Sequence, residues 1–121
     1  MEVRTLLENM RALRREYVLL EVLQIEIPQC CGSAPGIQEV LDLFDKHKKR
    51  VAAEERAAQE IIDNVEDKTL RQLLQLRFSD GKTMPEWRII ADQIMYSENH
   101  TRGKLFRQAL AAAERAAKKY A

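Results

Sequence analysis

From Val3 onward the apolar residues return every seven positions: Val3, Met10 and Tyr17 hold one place in the repeat, and Leu6, Leu13, Leu20 and Ile27 the other. A seven-residue step draws one narrow apolar line along an α-helix, whereas a strand alternates its faces with every residue. A second stretch repeats the pattern, with Ile37, Phe44, Val51, Ala58 and Val65 at one position and Val40, His47, Glu54 and Ile61 at the other. His47 and Glu54 place polar groups in that seam, where such residues set register. Over residues 17–25 the first stripe widens to take in Val18, Leu19, Val22 and Leu23. A stripe of that width predicts contact with more than one neighbour.

Between the two periodic stretches lies "PQCCGSAPG", residues 28–36, which carries two prolines and two glycines. These residue types end one helix and begin another, so Pro28 is expected to stop the first helix and the segment to form a loop. Helices over residues 2–27 and 36–66 would be rods of roughly 40 and 46 Å. Matched lengths and a short loop predict an antiparallel hairpin. Charged residues make up 32% of the 121 residues and aromatics only 6%, which favours solvated helices over a packed sheet. The charged run "KHKKR" at 46–50 points in several directions around its helix and reads as a solvated face.

The C-terminal part breaks this monotony. Asp67 is a plausible N-cap for a helix carrying Leu70, Leu73, Leu74 and Phe78, which "SDG" at 79–81 ends. A short helix follows, with Trp87, Ile90, Ala91 and Ile94 facing inward. After a turn at 95–97 the last helix buries Leu105, Phe106, Ala109 and Leu110 and leaves Arg102, Lys104 and Arg107 outside. A short helix, a tight turn and a basic helix form a helix-turn-helix, which presents side chains to the major groove of DNA. A small three-helix bundle with a solvated basic face fits the same pattern. Charge separates along the chain as well: residues 1–97 hold 14 Lys/Arg against 17 Asp/Glu, and residues 98–121 hold 6 against 2. The expected fold is all-α, with a long antiparallel helical hairpin over residues 1–66 (loop 28–36) followed by a small helix-turn-helix domain over residues 67–121.

"DNVEDKTLRQLLQLRFSDGKT", then "WRIIADQIMYS" and "FRQALAAAE", resembles the C-terminal domain of short phage and prophage regulators related to region four of bacterial sigma factors. The resemblance spans roughly residues 63–115, and a long charged helical segment precedes the domain in that family too. It implies sequence-specific binding of double-stranded DNA in transcriptional control of phage genes, with RNA polymerase as a further candidate partner. Carried onto this chain, it implies that Glu98, Asn99, His100, Thr101 and Arg102 open the recognition helix, where side chains reach base edges. Arg suits guanine and Asn suits adenine through paired hydrogen bonds. Lys104 and Arg107, with Lys82, Thr83 and Arg88 around the preceding turn, would hold phosphates. The chain departs from the family pattern in two places. "MPE" at 84–86 is inserted before Trp87, and the span from 96 to 105 is one residue longer. Gly103 within that span costs about 1 kcal/mol relative to Ala inside a helix, and it fits either a close approach to a DNA backbone or a helix that starts late or bends.

Other classes find less support. The sequence has no Gly-rich phosphate loop, no spaced metal ligands and no nucleophile with a plausible base, so no enzyme activity, cofactor or metal is expected. Cys30 and Cys31 are adjacent, a spacing that strains a disulfide, and read as reduced thiols. No run of 18 apolar residues occurs, which argues against a signal peptide or membrane span and for a cytoplasmic location. The widened stripe predicts a homo-oligomer, most simply a dimer, built largely by residues 1–66. The competing reading is a structural or adaptor protein that acts through its hairpin without DNA.

Overall fold

The computed structural model describes residues 2–119, and among these every regular element is helical. The heptad stretch at the N-terminus forms α1 (Val3–Glu8) and α2 (Met10–Cys31), two parts of one bent rod. At Asn9 the backbone relaxes to φ -87°, ψ -5°. Hydrogen bonds from Asn9 N to Thr5 O (3.1 Å) and from Leu13 N to Asn9 O (2.9 Å) nevertheless carry the helix through the bend.

Pro28 does not stop α2, which continues to Cys31. The loop is therefore shorter than residues 28–36. A proline inside a helix removes one backbone hydrogen bond and crowds the preceding turn. Here it stands in the exposed last turns, where the Gln24 carbonyl it leaves unpaired is not sealed in a core. Gly32 ends the helix instead. A Cβ at that position would lie 2.5 Å from the Pro28 carbonyl oxygen, so no other residue fits without a shift.

Helix α3 (Ile37–Asp63) runs back along α2. Glu16 meets His47 and Arg14 meets Glu55, so residues lower on α2 face residues higher on α3. Between them Leu13, Leu20 and Val51 are buried, flanked by Tyr17 and Phe44. The polar seam position is satisfied locally: Arg50 donates to Nδ1 of His47 (2.6 Å), which leaves the Nε2–H of His47 to donate to Glu16 (2.6 Å). That pairing suits the neutral imidazole.

Asp67 caps α4 (Lys68–Leu74) as its type predicts, its carboxylate accepting from the Leu70 amide at 3.0 Å. The helix then widens into a π-turn over Gln75–Ser79 before residues 80–86 lead to α5 (Trp87–Ile94). α6 (Glu98–His100), a second π-turn (Thr101–Leu105) and α7 (Phe106–Lys119) follow as one continuous path.

One core joins the two ends of the chain. Leu7 and Met10 of the N-terminal rod, Ala58 and Ile62 near the end of α3 and Val65 just beyond it pack with Leu73, Leu74, Phe78, Ile90, Ala109 and Ala113. Residues on either side of the turn at 64–67 share this core.

A buried arginine fastens this arrangement. Arg11 donates to the carbonyls of Arg77 (2.8 Å), Leu76 (3.2 Å) and Asp80 (2.8 Å), and Arg14 donates to Ser79 O (2.7 Å) and to Glu55 (2.9 Å). The last carbonyls of a helix have no partner of their own and carry partial negative charge, which these cations meet. Burial, and next the neighbouring charge of Arg14, holds the Arg11 guanidinium below its usual pKa.

Candidate nucleic-acid interface

The turn between α5 and the last helical path is closed from both sides. Met95 takes a left-handed conformation (φ 67°, ψ 41°), and the Tyr96 amide donates back to the Ala91 carbonyl at 3.1 Å. Such a residue ends a helix by turning the chain out of it, a place where glycine is common. Ser97 then caps the next helix, its hydroxyl accepting from the His100 amide at 3.2 Å. Ile90, Ala91, Ile94 and Leu105 are buried beneath the turn. Trp87 meets Phe106 edge to face at 4.9 Å, and the Arg77 guanidinium lies over the Trp87 ring at 4.1 Å. Indole faces attract cations, so Arg77 clamps the start of α5 to the end of the first π-turn.

Above this base, Glu98, Asn99, Arg102, Lys104 and Arg107 are exposed and His100 is half-buried. Arg102 donates to the Asn99 side-chain oxygen (2.9 Å), and the Tyr96 and His100 rings lie 5.5 Å apart. These contacts hold the first turn's side chains in a shared surface layer. Thr101 does not belong to that layer. It is fully buried, and its hydroxyl donates to the Ser97 carbonyl at 2.8 Å. Unlike the other residues expected to read bases, it offers no surface to a partner, because its hydroxyl is used inside the turn.

The residues of the preceding loop divide. Arg88 is exposed, with Glu86 4.0 Å away, and Thr83 is exposed. Lys82 is exposed too, but with Gly81 it lines a groove on α2 beside Arg14, Arg15 and Val18. The structure thus brings Lys82 to the hairpin. The inserted residues 84–86 lie in the irregular segment before α5.

The second π-turn spans Thr101–Leu105. A π-turn accommodates one extra residue without ending the helix. Buried positions continue across it at Thr101, Leu105, Ala109, Ala112, Ala113 and Ala116. Gly103 sits in its middle. The helix therefore neither starts late nor stops there, and a methyl group at Gly103 would meet no atom within 4 Å outside the local helix. The fold has no steric need for glycine at this point.

Arginines 11, 14 and 77 escaped sequence reasoning because a guanidinium on a charged helix is normally read as solvated. The signal was indirect: a helix ending at "RFSDG" must place its last carbonyls somewhere. Compared with known protein families, curated proteins and solved structures, the chain matches none.

Proposed function

We propose that this chain is a sequence-specific double-stranded-DNA-binding protein, a phage-type transcriptional regulator, in which α5 and the helix beginning at Glu98 act as a helix-turn-helix. The observation that carries the reading is the surface over residues 98–107. An eight-residue helix and a short turn support a continuous helix whose first turns expose Glu98, Asn99, Arg102, Lys104 and Arg107 while Thr101 and Leu105 anchor it. Arg102 and Asn99 are the base readers in this proposal, and Lys104, Arg107, Arg88 and Thr83 hold phosphates. Gly103 adds support, since a glycine the fold does not require leaves room for a DNA backbone. RNA polymerase is proposed as a further partner on the sequence resemblance alone.

The test is selection of preferred duplexes from a random pool, followed by titration of variants at several salt concentrations. Arg102→Ala and Arg107→Ala are surface changes and should leave folding within about 0.5 kcal/mol. Loss of Arg102 should cost about 1 to 3 kcal/mol at one position of the site and relax the choice of base there. Loss of Arg107 should weaken all duplexes alike and make the salt dependence shallower by about one unit. Gly103→Ala should stabilise the fold by up to about 1 kcal/mol yet weaken DNA binding. A folded Arg102→Ala, Arg107→Ala double variant that binds its preferred duplex with unchanged affinity and salt slope would sink the assignment in favour of the adaptor reading.

A further inference from the structure

Helix α2 has two opposite faces with different fates. One packs on α3 through Leu13, Tyr17 and Leu20. Along the other, Arg11 is covered by the end of the first π-turn, with half-buried Arg14 at the margin between the faces, and the cover stops at the groove lined by Arg15, Val18, Gly81 and Lys82. Beyond that shoulder the same face is apolar and bare: Val18 is 56% exposed, Leu19 57%, Val22 40% and Ile25 63%. At helical spacing Val18, Val22 and Ile25 form one stripe with Leu19 at its edge.

We propose that this stripe is the homodimer interface, and that two copies of α2 pack antiparallel across a two-fold axis near Val22. Two features select a second copy of this chain over any other occupant. The first is charge order. Arg15 and Glu26 lie on the same flank of the stripe, three turns apart, on either side of its centre. In an antiparallel pair, equal flanks face each other, and with the axis near Val22 Arg15 of each chain lies within one helical turn of Glu26 of the other, inside the reach of the two long side chains. A parallel two-fold pair sets opposite flanks against each other and would not bring Arg15 to Glu26.

The second feature is length. The bare part of α2, residues 15–31, runs from the shoulder to the hairpin tip, roughly 25 Å at 1.5 Å per residue, with Leu23 at its midpoint. Antiparallel overlap about the axis near Val22 brings each tip to the other chain's shoulder groove, so the face is self-complementary in length as well as charge. A helix pair of this extent with two end contacts approaches the lower range of stable interfaces, about 600 Å² per partner, which suits a dimer of micromolar strength. The opposite flank carries Glu21, which faces its own copy at the axis and holds the affinity down.

Sedimentation of the full chain without DNA tests the proposal independently of any DNA-binding role. The wild type should dimerise at tens of micromolar, and Val22→Glu should be monomeric with an unchanged circular-dichroism spectrum, since the site is exposed. Arg15→Glu and Glu26→Arg should each weaken self-association about tenfold. Mixed one to one, those two variants should form a heterodimer tighter than either homodimer, because every Arg15–Glu26 pairing is then of opposite charge. Glu21→Gln should tighten the wild-type dimer. A wild-type chain that stays monomeric at 100 times its expected micromolar dissociation constant, a dimer indifferent to Val22→Glu, or a mixture that associates no better than its components would each overturn the proposal.

Discussion

The base of the molecule and the outer half of its hairpin use similar residues to different ends. At the base, both chain ends and three segments between them converge on one continuous core. Outward along the hairpin the buried set shrinks to Leu13, Leu20 and Val51, while Val40 and Leu43 join the bare stripe of α2 in solvent. Apolar content alone does not create a core. What matters is whether a helix has neighbours on more than one side, and only the base supplies them. Stability should therefore be concentrated at the base, with the hairpin's outer half opening more readily.

The largest expected effect compares one residue from each region. Leu74→Ala at the fully buried base should cost about 2 to 5 kcal/mol in chemical denaturation, whereas Phe44→Ala in the half-buried outer seam should cost about 1 to 2. Equal losses would abolish the contrast. Next comes the fastening between the regions. Arg11→Ala removes the partner of the part-buried carbonyls of Leu76, Arg77 and Asp80, at about 1 to 3 kcal/mol. Arg11→Lys should recover only part of this, because an ammonium lacks the planar fork that reaches several acceptors at once. A variant as stable as the wild type would show that the carbonyls have another partner. The smallest effect is a gain. Met95 is 88% exposed in a left-handed conformation, so Met95→Gly should raise stability by about 0.5 to 1 kcal/mol. Amide exchange should slow at the base and stay unchanged in the outer hairpin.

Much of the helical architecture was legible in the sequence. The repeats containing Leu13, Leu20 and Val51 marked the faces that pair, and the Asp67 cap and the inward set of Ile90, Ala91 and Ile94 followed from type and spacing. Pro28 was misread because a proline ends a helix only where the lost hydrogen bond cannot be tolerated, and near an exposed tip it can. Thr101 is a different case. It was carried over with its neighbours from the resemblance, but it stands four residues before buried Leu105 on the same inward face, and the Ser97 carbonyl takes its hydroxyl. The groove shared by Lys82, Arg15 and Val18 joins residues more than sixty positions apart, beyond what local periodicity reports.

The grip of Arg11 on Arg77, a separation of 66 residues, also bears on how the chain reaches its native state. During synthesis the N-terminal rod emerges first, carrying Leu7, Met10 and Arg11 toward seats whose other walls, among them Ala109 and Ala113, have not yet been made. Hairpin contacts between α2 and α3 form over a shorter loop and can come early, but closure across the full chain must wait for its last helix. Docking of Leu7, Met10 and Arg11 should then follow hairpin formation, and removal of α7 should leave a hairpin with an open base, exposed to chaperones and proteases.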